Sequence, residues 1–188
     1  MSGRYPGRNN GEIDWALIRE QLPFEKTPEH RARRDQLWPQ IDVNANGLVS
    51  LAELDKGLRD VLRCYQIYNC KPAIIRAFTA AKDAVPSSKP HSDYYIDRAE
   101  FRLALLYLRQ YFEYFQAFSR IDTNDDRRIS KKEFLDAVPM MEQWVGPIKN
   151  PEATFREVDD NGGGYILFAE FCDWAIRKNL ALEEANEE

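Results

Sequence analysis

Oxygen-bearing side chains recur at alternate positions of residues 42–53, and the segment closes on a glutamate. The candidate oxygen donors are Asp42, Asn44, Asn46, the Leu48 carbonyl, Ser50 and Glu53. A calcium loop of twelve residues takes its ligands from positions 1, 3, 5, 7, 9 and 12, with glycine at position 6 for a sharp turn. Gly47 fills that turn position. The spacing therefore predicts a Ca²⁺ site, for which Mg²⁺ is a competitor.

The elements that must position this loop are two helices. A helix beginning at Pro28 brings Leu37, Trp38 and Ile41 to the loop, and Leu54, Leu58 and Leu62 continue at helical spacing after it. This helix, loop, helix order is that of an EF-hand. Val49, at position 8, is expected to pair with the matching residue of a sister loop.

A second segment with the same spacing covers residues 122–133. Its candidate ligands are Asp122, Asn124, Asp126, the Arg128 carbonyl, Ser130 and Glu133. Three carboxylates favour a divalent cation by charge count. Arg127, however, stands where a glycine is expected, and two neighbouring arginines lower the negative potential. We therefore expect binding that is weaker than in the first loop.

A third segment with this spacing covers residues 159–170. Its candidate ligands are Asp159, Asn161, the Tyr165 carbonyl and Glu170. Gly163 at position 5 and Leu167 at position 9 offer no side-chain oxygen, so water would have to substitute for both. The sequence leaves occupancy of this loop open and ranks it after the other two.

One further unit lacks the ligands. Counting back from Glu100 as position 12 places Lys89 at position 1 and His91 at position 3, with Tyr94 where a glycine is expected. A cation at position 1 cannot contribute to an oxygen cage. Ile96, at position 8, still suits pairing with the first loop, so this unit is expected to pair without binding an ion.

These four units form an internal repeat and predict the fold class. We expect an all-α protein with two pairs of EF-hands, of the calmodulin-like superfamily, packed around a long central helix and joined by short two-stranded loop pairings. The predicted helix covers residues 98–119. The expected segments are a disordered N-terminal part (1–11), an N-terminal lobe (12–105), a C-terminal lobe (106–182) and an acidic tail (183–188).

Composition excludes several functions. With 31 acidic and 26 basic residues the formal net charge is −5, which argues against nucleic acid as a partner. Two histidines and no nucleophile constellation argue against an enzyme. The longest apolar stretch, 101–118, contains charged residues and is not expected to span a membrane. The basic run 30–34 is interpreted as a solvated helix face in preference to a patch for anionic lipid or an acidic partner.

The order of an intact first loop, a degenerate second and two later hands resembles the calflagin family, the flagellar calcium-binding proteins of trypanosomatids. The resemblance covers roughly residues 12–182 and is carried by Trp15, Ile18, Arg19, Pro23, Arg76-Ala77-Phe78, Ala81-Lys82-Asp83, Glu100-Phe101-Arg102-Leu103, Phe168, Glu170-Phe171, Trp174-Ala175, Lys178 and Leu180. It implies a ciliary or flagellar calcium responder. The three cysteines, an odd number without metal spacing, are those expected of reduced thiols in a cytoplasmic protein, and a protein partner is expected. Family members carry N-terminal lipids on a glycine directly after the initiator methionine and on a nearby cysteine; here Ser2 follows Met1 and no cysteine precedes Cys64, so no lipid anchor is expected.

Two functions stay open at this point. A calcium sensor would reorient its exiting helices on ion binding and expose a partner surface. A structural axonemal or cytoskeletal protein would use partly vestigial hands as a scaffold. A Ca²⁺-dependent change in tryptophan fluorescence that Glu53→Gln weakens would favour the sensor.

Overall fold

The computed structural model describes residues 13–84 and 94–179, and helices flank each loop within them. Residues 13–84 contain α1 (Trp15–Gln21), α2 (Pro28–Ile41), β1 (Leu48–Ser50), α3 (Leu51–Asp60), α4 (Tyr65–Tyr68) and α5 (Lys71–Asp83). Residues 94–179 contain β2 (Tyr95–Asp97), α6 (Arg98–Ile121), β3 (Arg128–Ser130), α7 (Lys131–Val145), α8 (Pro151–Val158), β4 (Tyr165–Leu167) and α9 (Phe168–Lys178). None of these helices is both long and apolar enough to cross a bilayer.

Two short antiparallel sheets join the loops in pairs. β1 pairs with β2 and sets Val49 opposite Ile96, while β3 pairs with β4 and sets Ile129 opposite Ile166. All four side chains are fully buried. The two loops of each pair are thus joined by the contact between their buried apolar residues at position 8. These pairings and the helices around them confirm the predicted class of paired EF-hands.

The described residues divide into two units, 13–112 and 113–179. The boundary between the units lies within α6, as does the lobe boundary at 105–106 that the sequence predicts. In the first unit, α2 and α3 approach closely beside the loop they flank. A Cβ at Gly57 would lie only 2.9 Å from Cγ1 of Ile41. Glycine at this position therefore lets the end of α2 pack directly on the backbone of α3.

The second unit has an aromatic core. The ring of Phe134 lies 5.6 Å from that of Phe155 and 6.3 Å from that of Trp174, both edge-on. Phe171 contacts Trp174 at 5.7 Å and Phe118 at the same distance. Edge-on aromatic pairs contribute about 0.5–1.5 kcal/mol each beyond their buried area. The two helices that flank the last loop, α8 and α9, are therefore held by rings on α6 and α7.

Element bounds differ slightly from the sequence-based expectations. The helix predicted over 98–119 extends to Ile121 and leads directly into the 122–133 loop. α4, a single turn between Arg63 and Asn69, was not predicted. The segments 1–11 and 183–188, and the residues Lys89 and His91, lie outside the described residues.

Candidate metal sites

The aspartate at position 1 organises each of the three candidate loops in the same way. Its two carboxylate oxygens accept hydrogen bonds from the backbone N–H groups of positions 5 and 6. These distances are 3.2 and 2.9 Å for Asp42, 3.2 and 2.9 Å for Asp122, and 2.9 and 2.9 Å for Asp159. Local bonds within six residues thus fold the first half of each loop around one carboxylate.

The amide side chain at position 3 repeats this arrangement. The Oδ1 atoms of Asn44, Asn124 and Asn161 accept from the N–H of position 5 at 2.9, 2.9 and 2.7 Å. Where position 5 carries an oxygen, it accepts in turn from the N–H of position 7: Asn46 at 2.8 Å and Asp126 at 3.0 Å. Backbone N–H groups of the same loop therefore orient the predicted ligand oxygens of positions 1 and 3, and that of position 5 where the side chain has one.

The glutamate at position 12 of the first loop bridges the two halves of that loop. Oε2 of Glu53 accepts from the backbone N–H of Ser50 at 2.9 Å and from its hydroxyl at 2.7 Å. Oε1 accepts from Nδ2 of Asn44 at 3.0 Å. Ser50 in return accepts from the Glu53 N–H at 3.2 Å, which completes a capping box at the start of α3.

Glu133 makes the same bridge in the loop at 122–133. Its Oε2 accepts from the Ser130 N–H at 2.9 Å and the Ser130 hydroxyl at 2.7 Å, and its Oε1 accepts from the N–H and hydroxyl of Thr123, both at 3.0 Å. Burial would raise the pKa of Glu133, but these hydrogen bonds outweigh it and hold the pKa below its ordinary value. Thr123 was not among the predicted site residues; a hydroxyl at position 2 was the available signal.

Asp122 shows the opposite shift. Burial raises its pKa, and the nearby charges of Asp126 and Glu133 act in the same direction against two backbone hydrogen bonds. Only 4% of the residue is exposed. A buried carboxylate beside two others is disfavoured in its charged form unless a cation compensates it. This electrostatic environment suits a divalent ion.

Glu170 bridges its loop without the help of a hydroxyl. Oε2 accepts from the Leu167 N–H at 2.8 Å, and Oε1 accepts from the N–H of Asn161 at 3.1 Å and from its Nδ2 at 2.6 Å. Leu167 replaces the serine of the other two loops, so this cap lacks a side-chain acceptor for the first turn of α9. The Glu170 carboxylate thus accepts as many hydrogen bonds as that of Glu53 and fewer than that of Glu133, and none of its bonds comes from a hydroxyl.

Position 6 has a positive φ in all three loops. The angle is +77° at Gly47, +70° at Arg127 and +82° at Gly164. Glycine adopts this conformation readily, whereas an L-residue such as arginine does so at a cost of roughly 1–2 kcal/mol. Arg127 thus takes the conformation that the loop demands and carries its strain.

Gly163 has a local packing role that spacing alone did not reveal. A Cβ there would lie 2.5 Å from Oδ1 of Asn161, the same atom that accepts from the Gly163 N–H. The amide of position 3 thus occupies the space that a side chain at position 5 would need. The missing oxygen at position 5 and the tight Asn161 contact are two aspects of one arrangement.

The degenerate hand keeps its second half. Oε2 of Glu100 accepts from the Asp97 N–H at 2.7 Å, and Oδ1 of Asp97 accepts from the N–H groups of Ala99 and Glu100 at 2.8 and 3.1 Å. This is the capping arrangement of Ser50 and Glu53, with an aspartate at position 9. Asp97 was not singled out from the sequence. The degenerate hand therefore keeps the strand residue Ile96 and the helix cap that follows it.

The predicted ligands fit a hard divalent cation by their chemistry. The carbonyls of Leu48, Arg128 and Tyr165 belong to the first residues of β1, β3 and β4. Across residues 13–84 and 94–179, no three His, Cys, Asp or Glu side chains converge as metal ligands. The predicted ligand set of each loop offers two or three carboxylates together with amide, hydroxyl or carbonyl oxygens, which are ligands that Ca²⁺ takes. The assignment of individual ligands stays a prediction.

Comparison with known proteins agrees with this architecture. The family model for the FCaBP EF-hand domain matches residues 18–108, and that for the EF-hand domain pair matches residues 111–176. The chain is 34% identical to the flagellar calcium-binding protein of Trypanosoma cruzi over 169 residues, which is 88% of this chain and 80% of that protein. It is 32% identical to flagellar calcium-binding protein TB-24 of Trypanosoma brucei brucei, over 90% of this chain and 78% of that protein.

Proposed function

The chain belongs to the family of flagellar calcium-binding proteins, which is not an enzyme family, and we propose that it is a Ca²⁺ sensor of the flagellum or cilium. Ion binding at its competent loops changes the orientation of the exiting helices and with it the affinity for a protein partner. Shared ancestry over most of the chain supports Ca²⁺ binding and the location.

The observation that carries the sensor is the bridging role of the position 12 glutamate. Glu53 lies in the first turn of α3, and its carboxylate holds both Ser50, at the start of that helix, and Asn44, in the first half of the loop. A bound Ca²⁺ takes such a glutamate as a bidentate ligand. Both oxygens must then leave part of their present hydrogen bonding. Because Glu53 is fixed on α3, the helix has to move with it.

The same link exists at the start of α7 and of α9, through Glu133 and Glu170. The bonds to be exchanged are most numerous at Glu133, where Thr123 and Asn124 hold the second oxygen. Affinity is proposed to fall in the order of the loops at 42–53, 122–133 and 159–170, because Arg127 opposes the cation in the second of these loops and Gly163 and Leu167 supply no side-chain oxygen in the third. Mg²⁺ competes for these loops, but its octahedral demand makes the bidentate glutamate a poorer ligand for it.

Calorimetry and NMR of the full chain test this proposal. Each of Glu53→Gln, Glu133→Gln and Glu170→Gln removes one anionic ligand. Loss of a charge-assisted contact of about 1.5–3 kcal/mol predicts about a 10- to 100-fold lower Ca²⁺ affinity at that loop. Glu29→Gln in the first turn of α2 is the matched control, because this exposed glutamate lies outside the loops.

The four tryptophan indole N–H signals report whether the helices move. Under the sensor proposal, Ca²⁺ shifts these signals and the amides of α3 or α7, and the shift weakens with the variant of the corresponding loop. Binding that leaves the helices unchanged would instead favour a structural interaction protein. Absence of binding in all three loops would refute both the sensor and the ligand assignment.

A further inference from the structure

A basic cleft lies in the unit of residues 13–112, between α2 and the first turns of α6. It encloses about 540 Å³. Five of its lining residues are cationic and one is acidic: Lys26, Arg31, Arg34, Arg98, Arg102 and Asp35. This concentration of positive charge stands against a chain whose formal net charge is −5. The sequence showed the run on α2 but not that α6 adds two further arginines to it.

Backbone carbonyls hold two of these guanidinium groups in place. Nη1 of Arg34 donates to the carbonyls of Pro23 and Glu25 at 2.6 and 2.8 Å, and Nη1 of Arg102 donates to the carbonyl of Phe24 at 3.1 Å. Both side chains are half-buried. A guanidinium has five N–H donors, so these carbonyls use only part of each fork. The two arginines are thus positioned before any ligand arrives.

The positive charge of the basic cleft is only partly balanced. Asp35 is the one carboxylate among its described lining residues, and its Oδ1 accepts from Nη2 of Arg98 at 2.7 Å. Burial lowers the pKa of Arg34, and the nearby positive charges of Arg102 and Arg31 lower it further, while the carboxylate of Asp35 acts in the opposite direction. Like charges held this close disfavour one another. An anion placed among them would relieve that repulsion.

We propose that the basic cleft binds the phosphate of a phosphorylated small molecule, either free in solution or as a lipid headgroup. Arginine forks match phosphate oxygens with two parallel hydrogen bonds, and several arginines can share one phosphate group. The volume lies within the range of about 300–1,000 Å³ typical of small-molecule sites and exceeds what one phosphate needs. A phosphorylated ring with more than one phosphate fits both the charge and the space. No ligand of the Ca²⁺ loops takes part.

Calorimetry with inositol 1,4,5-trisphosphate and with inorganic phosphate tests the proposal on the full chain in EDTA. Arg31→Gln and Arg98→Gln each remove an exposed cation, and each is expected to weaken trisphosphate binding about tenfold, the worth of one charge-assisted contact. Asp35→Asn removes the competing carboxylate and is expected to tighten binding. Arg33→Gln is the matched control: it lies on the same helix, but its guanidinium donates to the Glu20 carbonyl and does not line the cleft.

A vesicle arm identifies the source of the phosphate. Sedimentation with phosphatidylcholine vesicles, with and without about 5% phosphatidylinositol 4,5-bisphosphate, measures headgroup binding in which clustered arginines add affinity. Vesicle binding that soluble trisphosphate displaces and Arg31→Gln weakens supports a lipid headgroup, and binding of soluble trisphosphate alone supports a free ligand. The proposal is overturned if neither probe binds, or if Arg33→Gln weakens binding as much as Arg31→Gln, since that result would report net charge alone.

Discussion

Replacing Arg127 by glycine should stabilise the unit that contains the loop at 122–133. Its φ is +70°, close to the values that Gly47 and Gly164 show at the same loop position. Relief of the left-handed strain gains roughly 1–2 kcal/mol. Glycine loses about 0.4–1 kcal/mol of this gain because it leaves the unfolded chain more flexible. The expected net gain is about 0.5–1 kcal/mol in the free energy of unfolding.

Arg127→Ala separates conformation from charge. Alanine keeps the strain but removes the positive side chain, so it should leave the stability close to that of the unaltered chain. Both variants should raise Ca²⁺ affinity of this loop by about two- to fivefold, the worth of one exposed charge. Gly47→Ala is the reverse test. A Cβ there would meet nothing within 4 Å, so its expected destabilisation of about 0.5–1 kcal/mol is purely conformational.

Hydrogen exchange of the paired β3 and β4 amides measures the stability of this unit separately from the rest of the chain. Isothermal calorimetry measures the affinity. The reasoning requires Arg127→Gly to be more stable than Arg127→Ala while both bind Ca²⁺ more tightly. Equal stability of the two variants would show that position 127 carries no conformational strain. A lower affinity in both would show that Arg127 supports the site instead of opposing it.

Burial raises the pKa of Cys64 from 9.0 to about 11 and that of Cys70 to about 12, so folding favours the neutral thiols. The stability that this preference contributes should be fully present below pH 9 and should be lost progressively as the pH rises toward about 12. Iodoacetamide should alkylate either thiol only slowly at pH 8 until the chain unfolds. Leu167→Ser supplies α9 with the missing N-cap hydroxyl, and little buried area is lost because Leu167 is 42% exposed. Thermal unfolding should show a free energy of unfolding that is higher by about 0.5–1 kcal/mol, and calorimetry should show a higher Ca²⁺ affinity at 159–170. Ile96→Ala removes a fully buried side chain opposite Val49 of β1 and should lower the free energy of unfolding in denaturant by about 2–5 kcal/mol. It should also weaken Ca²⁺ binding at 42–53, although Ile96 is not a ligand. Unchanged affinity would show that the sheet does not support the loop.

Much of the loop geometry could be predicted because it is local. The bonds of Asp42, Asn44 and Glu53 join residues at most nine positions apart, so their spacing along the chain almost dictates their spacing in space. The pairing of Val49 with Ile96 could also be predicted, because each of the two loops has an apolar residue at position 8. The domain assignment and the roles of individual ligands remain predictions.

Other features could not be derived from spacing. The clamp of Thr123 on Glu133 and the contact of Asn161 with Gly163 depend on side-chain direction within an already folded loop. The short helix α4 carries no amphipathic period long enough to signal it, because four residues complete barely one turn.

The sequence by itself determined which loops offer oxygens to a cation and which one does not, because an EF-hand loop is built from hydrogen bonds within twelve residues. The tertiary structure alone decided that Arg98 and Arg102 stand beside Arg31 and Arg34, more than sixty residues away along the chain. Burial of apolar faces brings α2 and α6 together, and that force is indifferent to the charged side chains carried along with them. The sequence therefore shows the basic run on α2, and only the fold shows that α6 completes the basic cleft.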